Sequence, residues 1–220
     1  MSAEPENPLA EARRSMVESQ LRSRGIRDQR VLDAMARVPR HEFLSPQRWN
    51  EAYADHPVII PEQQTTSQPY MIASMLQAAR IQLGDRALEI GAGSGYQTAL
   101  LAELAAEVFA VERYESLAAQ AREALTRLGY KNATVITGDG SLGAPQFAPF
   151  DAIVVAAAAP RIPPSLAEQL APGGRLVVPV GDENQQMLQL VRKQPDGSLS
   201  VQDVEGCKFV PLIGKQGFGG

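Results

Sequence analysis

The stretch that most limits how this chain can fold is Ala87-Leu88-Glu89-Ile90-Gly91-Ala92-Gly93-Ser94-Gly95-Tyr96, a short apolar run ending in three alternate glycines. Glycine suits a chain that must turn sharply into left-handed backbone, and its missing Cβ lets a ligand approach the amides. A helix that follows directly offers N–H groups with no partner inside it. The stretch therefore reads as a first strand, a tight turn and a helix N-terminus, with a nucleotide-like ligand over Gly91, Gly93 and Gly95. Its spacing is G-x-G-x-G, whereas a dinucleotide site uses G-x-G-x-x-G with a pyrophosphate over the helix start. Glu89, just before the glycines, would repel a phosphate.

Two more candidate strands end in acids. Glu107-Val108-Phe109-Ala110-Val111-Glu112 places Glu112 where a carboxylate can accept both hydroxyls of a ribose, and Thr134-Val135-Ile136-Thr137-Gly138-Asp139-Gly140 places Asp139 and Gly140 where an adenine amino group can be met. No basic residue stands in this set to hold phosphate. An adenosine that lacks phosphates and carries positive charge fits, and that is S-adenosyl-L-methionine. The plainer alternative is a strand–turn–helix driven by packing, with its acids on solvent; the ordered set of three strand ends favours the cofactor.

At 220 residues, with 44% hydrophobic and 21% charged content, the chain can bury one sizeable core. A formal net charge of −4 argues against a dedicated nucleic-acid binder. The eight arginines between residues 13 and 40 read as a solvated helix face. Cys207 is the single cysteine, which excludes an internal disulfide and a cysteine-rich metal site and reads as a buried, inert thiol. His41 and His56 are the only histidines, so neither a metal nor a histidine proton acceptor is expected. Residues 1–8 are acidic and proline-bearing, without a signal-peptide pattern, and read as a disordered tail. The longest apolar run, Ala152 to Ala159, is far too short to span a bilayer. The expectation is a cytoplasmic monomer with no membrane or nucleic-acid partner.

In chain order, a helix is predicted from Leu9 to a stop at Gly25, and a second from the cap Asp28, with Val31, Leu32 and Met35 inward, to a stop before Pro39. Phe43, Leu44, Trp49 and Tyr53 read as anchors for this extension. Val58 to Ile60 is extended and leads into a polar loop, Pro61 to Tyr70, whose hydroxyls and amides would face whatever the cofactor reacts with. The other use of such a loop is capping of the helix Tyr70 to Arg80 by Ser67 or Thr66. Helices over Tyr96 to Leu104, Ser116 to Leu128 and Leu166 to Leu170 alternate with strands at Phe150 to Val155 and Arg175 to Gly181. Met187 to Arg192 and Leu199 to Val204 form a hairpin through Pro195-Asp196-Gly197. The fold class is α/β: a Rossmann-like, doubly wound, mostly parallel seven-stranded sheet with an antiparallel edge hairpin and an N-terminal helical extension. Residues 9–80 form the extension and loop, and residues 81–220 the cofactor-binding core of one compact domain.

With these residues in view, the chain resembles the protein-L-isoaspartate O-methyltransferase family from about Met16 to Leu212. The resemblance is carried by Met16-Val17-Glu18-Ser19-Gln20-Leu21, Arg24-Gly25-Ile26, Val38-Pro39-Arg40-His41, Thr65-Thr66-Ser67-Gln68-Pro69-Tyr70, Leu88 to Tyr96 and Phe209-Val210-Pro211-Leu212. It implies methylation of the free carboxylate of isoaspartyl residues in damaged proteins and peptides, after which the ester closes to a succinimide that reopens partly to aspartate. It also implies that Ser67 is the active-site serine, that Gln64, Thr65 and Thr66 flank the cofactor, and that Val210 and Pro211 hold the peptide backbone. Two positions depart from the family pattern. Pro61-Glu62-Gln63-Gln64 stands where Gly-x-Gly-Gln is usual, and Ala156 where a threonine is usual.

A carboxylate is already nucleophilic at neutral pH and a sulfonium is already an activated donor, so no general base is required and Ser67 reads as a positioning hydrogen-bond donor. Two other readings stay open on sequence alone. One is a nicotinamide-nucleotide oxidoreductase on a similar sheet; the other is a module that binds cofactor or damaged protein without turnover.

Overall fold

The computed structural model describes residues 7–219. The expected tail thus lies outside the described residues up to residue 6. Asn7 caps the first helix, α1 (Pro8–Ser15), by accepting the Leu9 amide at 3.0 Å. The predicted helix to Gly25 changes type on the way, through a π-helical turn over Met16–Leu21 and a 3₁₀ turn over Arg22–Arg24. The i→i+5 bonding of a π turn brings residues five apart onto one face, and Met16 and Leu21 are both buried here. Gly25 ends the run in left-handed backbone at φ 99°. Helix α2 (Gln29–Arg37) starts at Asp28, whose carboxylate accepts the Arg30 amide, and buries Val31, Leu32 and Met35 as expected.

Strands β1 (Val58–Ile60) and β2 (Gln64–Thr66) form a small antiparallel hairpin. The sequence predicts a loop over Gln64 to Thr66, and these residues form a strand instead. Its partner, β1, lies just six residues upstream, and the turn that joins them uses non-glycine residues in left-handed backbone, Glu62 at φ 59° and Gln63 at φ 55°. Such turns normally carry asparagine or glycine, so the usual hairpin signal is missing. Helix α3 (Pro69–Ala79) follows, with proline in its first turn.

The main sheet contains β3 (Arg86–Ile90), β4 (Glu107–Glu112), β5 (Ala133–Thr137), β6 (Phe150–Val155), β7 (Leu170–Gly181), β8 (Gln186–Lys193) and β9 (Leu199–Cys207). Their order is β5-β4-β3-β6-β7-β8-β9; the first five run parallel, and β8 and β9 form the antiparallel edge. Between the strands lie α4 (Tyr96–Leu104), α5 (Glu115–Arg127) and α6 (Pro164–Glu168). The predicted helix end at Leu170 is corrected: Leu170 already pairs with Phe150, and Pro172 to Gly174 make an irregularity inside a longer β7.

Period-2 alternation sorts the central strands between two cores. Ala87, Val108, Ala110, Ala152 and Val154 face the layer of α2, α3 and α4, while Leu88, Ile90, Phe109, Val111, Ile153 and Val155 face the other side with Leu166 and Leu212. Both faces are covered, which is why these strands read as continuous apolar runs. Ile90 is level with Val111 on one side and with Val155 on the other. The chain winds outward in opposite directions from β3, and the crevice beyond its carboxyl end is where such sheets take ligands. Gly95 sits at that switch at φ 87°, and a Cβ there would lie 3.1 Å from the Cβ of Ala121. Gly95→Ala is expected to cost about 1–3 kcal/mol in urea unfolding, from left-handed strain plus the tight contact. An unchanged midpoint would mean that the turn relaxes freely.

Candidate active site

The carboxyl ends of β3, β4 and β6 open into a cavity of about 420 Å³. Gly91 and Gly93 form one wall at φ 88° and 52°; the Gly91 amide donates to Val111 O at 2.8 Å and the Gly93 amide to Glu112 Oε2 at 2.8 Å. Glu112 is buried and also accepts the Tyr114 amide on Oε1 at 3.0 Å. Both oxygens are thus aimed by backbone donors, and each keeps a lone pair for a further hydroxyl. Gly140 lines the same cavity and packs so tightly that a Cβ would stand 2.5 Å from Ile90 Cγ2. Gln64 and Thr65 of the hairpin cover the cavity, and Val210 and Pro211 close it from the C-terminal segment.

A second cavity, about 550 Å³, lies next to the first and is lined by Ser67, Gln68, Met71, Gln186, Lys208 and Phe209 among others. Thr65, Ala156 and Val210 line both cavities and form the boundary between them. A recess of about 30 Å³ under this boundary is lined by Ser67, Thr66, Glu89, Gly91, Gly93 and Gln97. Thr66 is buried. Ser67 is half-buried; its carbonyl accepts Arg40 Nη2 at 2.9 Å, and its hydroxyl bonds to no protein group among the described residues. Capping is not its use. Gln68 occupies the N-cap position of α3, and the first-turn amide of Tyr70 is satisfied by Asp55 Oδ1 at 3.1 Å.

Glu89 is fully buried in the recess. It accepts the Thr98 hydroxyl on Oε2, while Oε1 has no donor in hydrogen-bond geometry among the described residues. Burial pushes its carboxyl up to about 8, against the pull of the Thr98 hydroxyl and of the nearby Gln97 side chain. The expected repulsion of a phosphate by Glu89 therefore does not arise near neutral pH, where the group is largely protonated.

Other residues stand differently from expectation. Asp139 does not line the cavity: Oδ1 accepts the Ser141 amide at 2.9 Å and Oδ2 the Lys215 amide at 2.8 Å, so its carboxylate ties down the C-terminal segment. Gly214 passes so close that a Cβ would lie 1.9 Å from Asp139 Oδ1, which explains a glycine in the tail. Gly95 shapes the turn without reaching either cavity. The set is also not free of basic residues. Arg113 lines the first cavity, its guanidinium 5.5 Å from the Tyr114 ring centre, and a basic residue directly after the strand-end acid was the signal for it. Of the arginines expected on a solvated face, Arg40 is 0% exposed, with Tyr96 beneath it at 5.0 Å. His41 is buried against the Tyr53 hydroxyl at 2.7 Å and His56 bonds only the neighbouring Pro57 carbonyl; neither lines the two cavities. The Cys207 thiol, half-buried beside the second cavity, is pushed up to about 11 by burial. No cluster of metal-ligating side chains occurs among the described residues, and no helix is long and apolar enough to cross a membrane.

The family model for protein-L-isoaspartate(D-aspartate) O-methyltransferase matches residues 11–217. The chain belongs to this family. Among curated relatives, a protein-L-isoaspartate O-methyltransferase of Koribacter versatilis is 55% identical over 99% of this chain and 98% of its own length. One of Geobacter metallireducens is 51% identical over 94% and 96%. A solved protein-L-isoaspartate O-methyltransferase superposes with a TM-score of 0.83 at 29% identity, covering 93% of this chain and 67% of that one. A Plasmodium falciparum structure so described, in complex with S-adenosyl-L-homocysteine, gives 0.79 at 27% identity over 91% and 98%. Both places where the chain leaves the family pattern border the site: Gln63 holds the left-handed position of the hairpin turn, and Ala156 lies on the boundary of the two cavities.

The Glu89 carboxyl carries a pH signature. A group near 4.5 when unfolded and near 8 when folded contributes stability that is fully present below 4.5 and is lost as pH rises through about 8. Across that interval the melting temperature of the protein is expected to fall more steeply than that of Glu89→Gln. Parallel curves would show that Glu89 ionises in the fold as it does in solvent.

Proposed function

We infer that this protein transfers a methyl group from S-adenosyl-L-methionine to the free carboxylate of isoaspartyl residues in damaged proteins and peptides, the ester then closing to a succinimide on the way to repair. The single observation that carries the reading is the pair of abutting cavities. One ends in a glycine turn and a doubly aimed carboxylate, the other holds an unengaged serine hydroxyl, and the two share only a thin boundary at Thr65, Ala156 and Val210. Family membership agrees with it.

The residues fit the cofactor. Gly91 and Gly93 allow close approach of the backbone, Glu112 would take the ribose hydroxyls, Gly140 would border the base, and Gln64, Thr65 and Thr66 would lie over the methionine end. Glu89 would support that end from the recess. Tight packing of Gly140 and the two backbone bonds on Glu112 make this a pre-formed cradle. When bound, the cofactor supplies an electrophilic methyl on a sulfonium. The protein's own part is orientation and exclusion of water, which can lower a barrier by about 7–11 kcal/mol without proton transfer. Ser67 would donate to the substrate carboxylate from the second cavity, and Val210 and Pro211 would guide the peptide chain beside it. We take Asp139 to serve the adenine side indirectly, by holding the C-terminal segment against the cavity. We place the protein in the cytoplasm as a monomer; a net charge of −4 and one cysteine agree with that.

The test is base-labile methyl ester formed on an isoaspartyl peptide beside its aspartyl twin, with ester expected on the first alone. Ester on neither would remove the activity, and binding of a nicotinamide cofactor in place of S-adenosylhomocysteine would favour an oxidoreductase. Glu112→Ala should weaken S-adenosylhomocysteine by roughly 2–3 kcal/mol, about 30- to 150-fold in Kd by calorimetry. An unchanged Kd would take Glu112 out of the site. Ser67→Ala should lower kcat with little change in unfolding temperature, since the hydroxyl carries no bond to the described residues. A destabilised but fully active variant would make the serine structural.

A further inference from the structure

Arg40 is among the largest fully buried side chains of the described residues and has no carboxylate at contact distance among them. It stands in a 3₁₀ turn over Arg40–Phe43, just after Pro39, the proline that follows α2. Its Nη2 donates to the carbonyl of Ser67 at 2.9 Å, and the carbon of its guanidinium lies 5.0 Å from the ring centre of Tyr96, the first residue of α4. Nε and Nη1 find no acceptor among the described residues. One side chain thus spans three parts of the molecule: the N-terminal extension, the serine segment, and the helix that begins at the glycine turn.

Physical economy does not explain an arginine here. A buried cation with unmet donors is costly, and a methionine of similar length would fill the space without the desolvation penalty. What arginine adds is a rigid fork that can hold one carbonyl while its plane rests on an aromatic face. Ser67 lies between the end of β2 and the N-cap of α3, in neither element, and its hydroxyl is unengaged among the described residues, so the bond from Arg40 is the side-chain contact that holds it.

We propose that Arg40 is a positioning residue for methyl transfer, fixing the Ser67 carbonyl relative to Tyr96 and so setting where the serine hydroxyl stands beside the second cavity. The assignment rests on the methyl-transfer reading of Ser67. The buried charge works in the same sense, because a cation behind Ser67 in low dielectric favours an incoming carboxylate. Arg40 lines none of the cavities, so it acts through the serine rather than by touching substrate.

The experiment is a double-mutant cycle in the full-length protein, with Arg40→Met, Arg40→Lys, Ser67→Ala and the two combinations. Methylation of an isoaspartyl peptide, S-adenosylhomocysteine calorimetry and thermal unfolding are read on each. Arg40→Met should lower kcat by about tenfold or more, as loss of one charge-assisted hydrogen bond does, while Kd for S-adenosylhomocysteine stays within about threefold. In the Ser67→Ala background the same change should cost no more than about twofold, because the group it positions is gone. Arg40→Lys keeps the cation without the fork and should fall between the two. If Arg40→Met does not fold, the Lys cycle decides by the same comparison. The proposal is overturned if kcat per folded molecule is unchanged in the Arg40 variants, or if their loss is as large with Ser67→Ala as without it. A wild-type protein that forms no ester would instead sink the activity reading itself.

Discussion

The bond from the Gly93 amide to the Glu112 carboxylate is the contact on which the site depends. It ties the turn after β3 to the end of β4, and it is possible because the parallel register sets Ile90 beside Val111. With Gly91 also bonded to Val111 O, the glycine turn cannot move independently of the neighbouring strand. A carboxylate fixed this way is ready for a diol with little further loss of rotamer freedom. The same turn starts α4, so the position of Tyr96, and with it the plane under Arg40, follows from one hydrogen-bonded corner.

What was legible in the sequence was what is local. The glycine turn, the acid ending β4, the cap at Asp28 and the hairpin turn at Gly197 all announce themselves within a few residues, and the structure has each where it was expected. Arg40 was not legible. Its partner is 27 positions away, and a lone arginine in an arginine-rich stretch reads as solvated until Tyr96 and Ser67 are folded onto it. The fold partners of Asp139 were not legible for the same reason: its carboxylate accepts the amides of Ser141 and of Lys215, 76 residues on, and nothing local in a strand-end acid announces the second. The hairpin of β1 and β2 was hidden by its unusual turn residues.

That turn puts the departure from the family pattern in physical terms. Left-handed backbone at Glu62 and Gln63 costs on the order of 1 kcal/mol each relative to glycine, and both residues lie over the first cavity. The cost is offset locally, since the Glu62 carboxylate accepts the Ser116 hydroxyl at 2.6 Å at the start of α5, and Ile60 packs within 3.4 Å of where a Gly93 Cβ would be. The tip is thus anchored across the cavity by the Glu62 side chain, which a glycine there could not supply. A proline at position 61 narrows the backbone further, so the cover over the cavity is stiffer than a Gly-x-Gly turn would make it.

The electrostatics around Ser67 complete the argument. Two ionisable side chains are wholly buried on either side of the serine segment, Glu89 in the recess and Arg40 behind the carbonyl. If both were charged, an anionic substrate arriving at Ser67 would meet opposing fields. Burial resolves the conflict by protonating Glu89, whose carboxyl lies near 8, whereas burial lowers Arg40 from a value so high that the guanidinium keeps its charge. Near neutral pH, of these two buried groups, the cation is the one that acts on an anion at the serine. As pH rises past that of the Glu89 carboxyl, an anion appears in the recess and works against a carboxylate docking above it. The proton that Glu89 keeps near neutral pH thus both spares an anionic acceptor a buried opposing charge and supplies the stability that is lost at high pH.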